Sequence, residues 1–205
     1  MLFSSNAGND LLFDESLCEQ GRNFSNKIWN AFRLIKSWKV SSNNQSELNR
    51  VTVNWFDSKL SESLKSINDS FEKFRISECL MKTYKLIWDD FCSYYLELIK
   101  PHNQEIDIKT KKQTINFLER LMIILHPFMP FITEEVWRKI ITRENTESIV
   151  FASWPDVKKP NKKLLSSFSY LFKLISKIRK IKKDKGLAPK KSIELYKKDL
   201  MIMFQ

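Results

Sequence analysis

Apolar residues recur along this chain at the spacing of one helix face and almost nowhere at the strict alternation of a half-buried strand. Over 14–38, Leu17, Phe24, Ile28, Ala31, Phe32 and Ile35 share a face. The cleanest stripe is 48–74, with Val53, Phe56, Leu60, Leu64, Ile67, Phe71 and Phe74. A third segment, 76–100, places Ile76, Leu80, Ile87, Phe91, Tyr94 and Leu98 together and is stopped by Pro101. A fourth, 106–125, carries Ile108, Ile115, Leu118, Met122 and Leu125, and a fifth spans 132–143. Their connections are mostly short, and 41–46 is a polar linker. Amphipathic helices joined this way bury their stripes against each other, so the pattern predicts an all-α fold, an antiparallel helical bundle.

The period then changes. The apolar, β-branched run 148–153, ended by Trp154-Pro155, predicts a short extended segment. Helical spacing returns over 164–185, with Phe168, Leu171, Ile175, Ile178 and Ile181 on one face and Lys on the other, until Gly186 and Pro189 end it. Ile193, Leu195 and Tyr196 have the character of a strand start. Three divisions follow: a lead-in over 1–13, the bundle over 14–155, and over 156–205 a C-terminal basic helix with the start of a small subdomain.

Composition supports long helices with few turns, because the 205 residues include only three Gly and six Pro, while fifteen Phe and six Trp supply a large apolar payload. The net charge of +11 is unevenly placed. Residues 158–191 hold twelve Lys and Arg179 against the single acid Asp184, whereas the bundle is close to neutral. Such a block is either a contact for a polyanion or a solvated face. Cys18, Cys79 and Cys92 are too few and wrongly spaced for a zinc knuckle, and an odd count suits a reducing compartment. No charged-then-apolar leader and no membrane-length apolar run occur, so a cytoplasmic chain with no membrane partner is expected, and a monomer.

Catalysis by this chain is a poor reading. Gly8, Gly21 and Gly186 lie too far apart to cradle a phosphate, and His102 and His126 have no metal-ligand spacing. Glu134-Glu135 and Asp89-Asp90 are adjacent pairs, and helix neighbours point about 100° apart, so neither pair makes a shared acid–base site. Capping and solvation are their expected roles. No catalytic and no metal-binding residue is assigned.

The most informative stretch is His126-Pro127-Phe128-Met129-Pro130-Phe131-Ile132-Thr133-Glu134-Glu135-Val136-Trp137. Its two prolines remove backbone donors and push the residues before them out of helical conformation. One helix therefore ends near His126, and another starts at or just before Thr133 with two glutamates at its positive end. Phe128, Met129, Phe131 and Ile132 make the connection apolar, which predicts a buried corner with His126 as a hydrogen-bonded structural residue.

This stretch resembles the signature in the anticodon-binding domain of class I aminoacyl-tRNA synthetases for aliphatic amino acids. Three further segments are similar to valyl-tRNA synthetases in particular: Asn9 through Glu15, Gly21-Arg22-Asn23-Phe24-Ser25-Asn26-Lys27-Ile28-Trp29-Asn30-Ala31, and Tyr84 through Glu97, centred on Trp88-Asp89-Asp90-Phe91-Cys92. Ser148-Ile149-Val150-Phe151-Ala152-Ser153-Trp154-Pro155 follows in the expected order, so the resemblance covers residues 2–197. It implies a tRNA-binding helical domain of a valine–tRNA ligase. The two ATP-binding motifs of the class are absent from this sequence. The resemblance therefore implies a piece without catalytic or editing parts, inactive alone and needing no cofactor. The full-length parent would use ATP and magnesium, and the partners would be a valine-accepting tRNA and the parent's remaining domains. Isoleucyl and leucyl enzymes, or a helical protein-interaction module, are the alternatives.

Candidate contacts fall in three places. Arg22, Asn26, Asn30 and Arg33 lie near one face of the first helix, flanked by Asn23 and Lys27, with no acid between Arg22 and Lys39. Guanidinium and amide groups in a stripe suit phosphates and base edges, and a solvated or packing face is the plain alternative. Trp55 lies one residue off the buried stripe, beside Asn54. The resemblance gives this aromatic the role of stacking on an anticodon base, although Asn54 and Val53 stand where the family usually has Arg and Asp. Core or rim packing is the competing role for Trp55. In the late helix Lys177, Arg179, Lys180, Lys182 and Lys183 are phosphate candidates, with strongly salt-dependent binding expected.

Overall fold

The computed structural model describes residues 15–101, 103–144 and 146–188. The lead-in, the first motif segment up to Asp14 and the strand expected around Ile193 fall outside these residues. Elements follow as α1 (Glu15–Ser37), β1 (Lys39–Ser41), α2 (Glu47–Glu72), α3 (Ile76–Lys85), a π-helical segment (Leu86–Tyr95), α4 (Leu96–Ile99), β2 (Glu105–Asp107), α5 (Ile108–Leu125), α6 (Pro130–Ile140), a 3₁₀ turn (Ile149–Phe151) and α7 (Lys162–Asp184). The fold is all-α, with one two-stranded parallel ribbon. The chain divides into two compact units, the first ending at Pro160 and the second beginning at Asn161.

Local chemistry sets the helix starts. Ser46 accepts the Asn49 N–H at the head of α2, and Asp107 accepts the Thr110 N–H at 2.8 Å at the head of α5. α6 begins with Pro130, two residues before the expected start, because its missing N–H is one of the donors a helix leaves unused there.

The core of the first unit is aromatic. Phe56 meets Tyr95, Phe117 and Phe91 at centroid distances of 4.8, 5.0 and 5.3 Å. The Tyr95 hydroxyl shares a buried 2.8 Å hydrogen bond with Thr114, so its polar end is satisfied.

Several expectations from spacing are corrected. The third helix widens into a ten-residue π segment. Its i to i+5 bonding advances the register, so Tyr95, Leu96 and Ile99 are buried where Tyr94 and Leu98 were expected. Phe74 is 86% exposed, because α2 stops at Glu72 and Phe74 sits in the turn with φ of 56°. Ile108 is exposed at the first position of α5. Residues 148–153 contain a 3₁₀ turn, not a strand, fixed where Ser148 Oγ and the Ile149 N–H both donate to Glu134. Asp90 is buried, not solvated.

The corner forms where expected, with α5 ending at Leu125, but Phe128, Met129 and Ile132 are only half-buried, and His126, its cap, keeps helical angles before Pro127. His126 Nδ1 lies 2.8 Å from the Thr133 hydroxyl, tying the end of α5 to the first turn of α6. Phe131 departs from the expectation: it is 90% exposed, on the outer side of that first turn.

Candidate nucleic-acid interface

α1 presents Arg22, Asn23, Asn26, Asn30 and Arg33 to solvent, while Phe24, Ile28, Ala31, Phe32 and Ile35 face the core. Arg22 holds only a loose, exposed pairing with Glu19 at 3.6 Å. Lys27 is different. Its ammonium donates to Ser93 Oγ at 3.1 Å and lies 4.0 Å from the centre of the Trp88 ring. It ties α1 to the π segment and is half-buried. Beneath it, burial pushes the Cys92 thiol up to about 12, with Lys27 pulling the other way, so this cysteine is no nucleophile.

The stacking role does not fall on Trp55, which is 2% exposed and packs edge-on to Phe56 at 5.9 Å. α2 packs against α3 and the π segment as well as α5, so its buried arc is wider than one stripe and takes in Thr52, Val53, Trp55 and Phe56. No ring face is left for a base. Asn54, between them, is exposed.

Asn54 opens onto a pocket of about 320 Å³ lined also by Val53, Asp57, Lys112, Gln113, Asn116, Phe117 and Lys158. The parallel ribbon and its neighbours position it. Lys39, Val40 and Ser41 pair with Glu105, Ile106 and Asp107. Gln45 donates to Thr110 Oγ1 at 2.9 Å and to Gln113 Oε1 at 3.0 Å, and Asn49 donates to Asp107 Oδ2 at 3.2 Å. These bonds set the heads of α2 and α5 side by side. Further along, Arg120 pairs with Asp57 at 3.0 Å.

The segment after the 3₁₀ turn lies against these two helices, running antiparallel to α2. Trp154 Nε1 donates to Asn68 Oδ1, Arg120 donates to the Asp156 carbonyl, and Lys158 pairs with Asp57 at 3.6 Å. Lys158 is thereby carried to the pocket's edge. Three amides and two ammonium groups converge there around one carboxylate that Arg120 already partly neutralises. That set can hydrogen-bond a base edge and hold a phosphate.

Sequence reasoning placed Asn54 here but missed Lys112, Gln113, Asn116 and Lys158. The signal was the one used on α1: between Asp107 and Glu119 the polar positions are cations, amides and hydroxyls without an acid. α1 packs on α5, α6 and the π segment, and α2 on α3, α4, α5 and the π segment. No α1 residue lines the Asn54 pocket.

In the second unit, α7 is capped by Asn161, which accepts the Leu164 N–H at 3.1 Å. Lys177, Arg179, Lys180 and Lys183 are exposed along it, and Lys182 is half-buried. Among the described residues no group of His, Cys, Asp or Glu is arranged to hold a metal, and no helix is long and apolar enough to cross a membrane.

A family profile described as the anticodon-binding domain of tRNA ligase matches residues 53–197. The chain belongs to that family. Its similarity to curated proteins is specific: it is 47% identical over 196 residues to a valine–tRNA ligase of Christiangramia forsetii, a match covering 95% of this chain and 22% of that protein. It is 46% identical to the valine–tRNA ligase of Phocaeicola vulgatus over the same shares of the two chains. The Fusobacterium nucleatum enzyme of that name is 35% identical over 205 residues, 93% of this chain and 23% of its own length. The chain thus spans under a quarter of the length of these relatives. The all-α fold read from the helix stripes, the anticodon-binding family read from the corner motif and the valyl likeness read from the further segments are all borne out.

Proposed function

We propose that this chain recognises the anticodon loop of a valine-accepting tRNA on behalf of a valine–tRNA ligase, and that it positions the RNA without doing chemistry. The observation that carries the reading is the Asn54 pocket, where Gln113 and Asn116 supply amides and Lys112 and Lys158 supply charge. Unstacked bases of RNA loops are read through such edge contacts. The names of the relatives favour valine over isoleucine or leucine. Arg22, Asn23, Asn26, Asn30 and Arg33 would guide the RNA backbone along α1, and Lys177, Arg179, Lys180 and Lys183 would add a sequence-independent hold. ATP, magnesium and valine would be handled by other parts of the parent enzyme, in the cytoplasm, and this chain alone would be a catalytically inactive monomer.

The test is a fluorescence-anisotropy titration with a valine-tRNA anticodon stem-loop, and with the same loop altered at its middle base, at two salt concentrations. Asn54→Ala or Asn116→Ala should shrink the preference for the native loop, each lost base contact being worth about 1–3 kcal/mol. An Arg179/Lys180/Lys183 triple Ala variant should weaken both loops alike and flatten the salt dependence by about two log units per log unit of salt. If both sets of variants change binding identically, the division of roles is wrong.

A further inference from the structure

A second pocket, of about 420 Å³, lies further along α2 and has a different chemistry. It is lined by Asn68, Phe71, Glu72, Pro127 and Trp154. Trp154 stands edge-on to Phe71, with centroids 5.9 Å apart at 83°, and Phe71 stacks on Phe128 at 5.9 Å and 20°. The 3.0 Å hydrogen bond to Asn68 fixes the indole, which keeps 38% of its surface in solvent. Glu72 has no ion-pair partner among the described residues, and no Lys or Arg lines the pocket.

A fixed aromatic face beside an uncompensated carboxylate attracts a cation and repels a phosphate. This separates it from the amide- and lysine-lined pocket at Asn54. The surroundings are apolar. Phe74, Phe131 and Phe151 are exposed by 86%, 90% and 86%, and each lies three residues along the chain from Phe71, Phe128 or Trp154. Three residues span at most about 11 Å, so the backbone of each lies within that reach of Phe71, Phe128 or Trp154. Exposed aromatics around an anchoring pocket mark a protein contact, and Arg is among the residues such contacts favour.

We propose that this pocket receives an arginine side chain from a polypeptide partner, with Trp154 as the stacking face and Glu72 as the counter-charge. The planar guanidinium can lie on the indole while its fork donates to the carboxylate. The proposal does not depend on RNA recognition by the other pocket.

The test is a titration of the ¹⁵N-labelled chain with acetyl-arginine methylamide and with its neutral citrulline counterpart, following the Trp154 indole N–H by NMR. The expected result is a saturable shift with arginine, weakened about fivefold with citrulline and by a similar factor in Glu72→Gln. Glu72 is exposed, so that variant leaves the fold intact, and the spectrum itself reports folding. Equal responses to arginine and citrulline, or an arginine response unaffected by Glu72→Gln, would overturn the proposal. So would cytidine monophosphate moving the Trp154 signal more than arginine does, which would give the pocket to a nucleobase.

Discussion

Asp90 lies within the π segment, only 9% exposed, and burial raises its carboxyl from the usual 3.8 to about 6. Lys59 and Lys85 pull the value back down, while Asp89 and Glu62 add to the rise. The native state therefore binds the Asp90 proton more tightly than the unfolded chain does. Between the two values the folded form holds a proton that the unfolded form has released, so stability falls as pH rises through this window. Each tenfold tightening of proton binding corresponds to about 1.4 kcal/mol, so the buried carboxylate costs about 3 kcal/mol once the group is ionised in both states. Asp90→Asn keeps the shape and removes the charge. The variant should match the parent near pH 4 and exceed it by about 3 kcal/mol at pH 7.5. For a chain of this size that difference is about 6–12 °C in Tm. Urea unfolding of both proteins across pH 4–8 isolates the effect, because titrating groups that do not interact with Asp90 cancel in the difference. Parallel stability curves, with a gap independent of pH, would show that Asp90 titrates normally and that its burial carries no electrostatic cost.

Two further outcomes follow from the packing. Thr52 is fully buried and its hydroxyl has no hydrogen-bond partner, so Thr52→Val should stabilise the protein by about 1 kcal/mol in the same denaturant assay. Trp55→Ala should act as a core truncation and cost about 3–5 kcal/mol, with any RNA-binding loss tracking the unfolded fraction instead of base identity.

Much of the fold is legible in the sequence because helix stripes of period 3.6 and proline stops are local signals. Phe24, Ile28, Ala31, Phe32 and Ile35 point inward as their spacing predicts. The failures arise where a partner element decides. Trp55 looks marginal on a helical wheel, yet α2 is covered on more than one side. The π segment changes the residues per turn, and no composition cue in Leu86–Tyr95 announces it. Phe74 carries the right period but falls two residues beyond the end of the helix. In the candidate site, Asn54 was visible through the family resemblance. Gln113 and Lys158 reach it only through tertiary contacts, one from α5 and one from the segment following Trp154. Lys27 has the right charge on the right helix, but a nearby indole and hydroxyl claim it.

The parallel ribbon bears on the order in which the molecule assembles. Lys39 meets Glu105 only after α2, α3, the π segment and α4 have gone out and returned, so this pairing closes a long loop. Such closures lag behind helix formation and hairpin collapse, because the chain must lose its entropy before the bonds form. The amide-lined pocket depends on the same alignment of α2 and α5. Helical signal during refolding should therefore recover before RNA affinity does. A nascent chain that has built most of its helices would still be unable to engage its target until this last clasp closes.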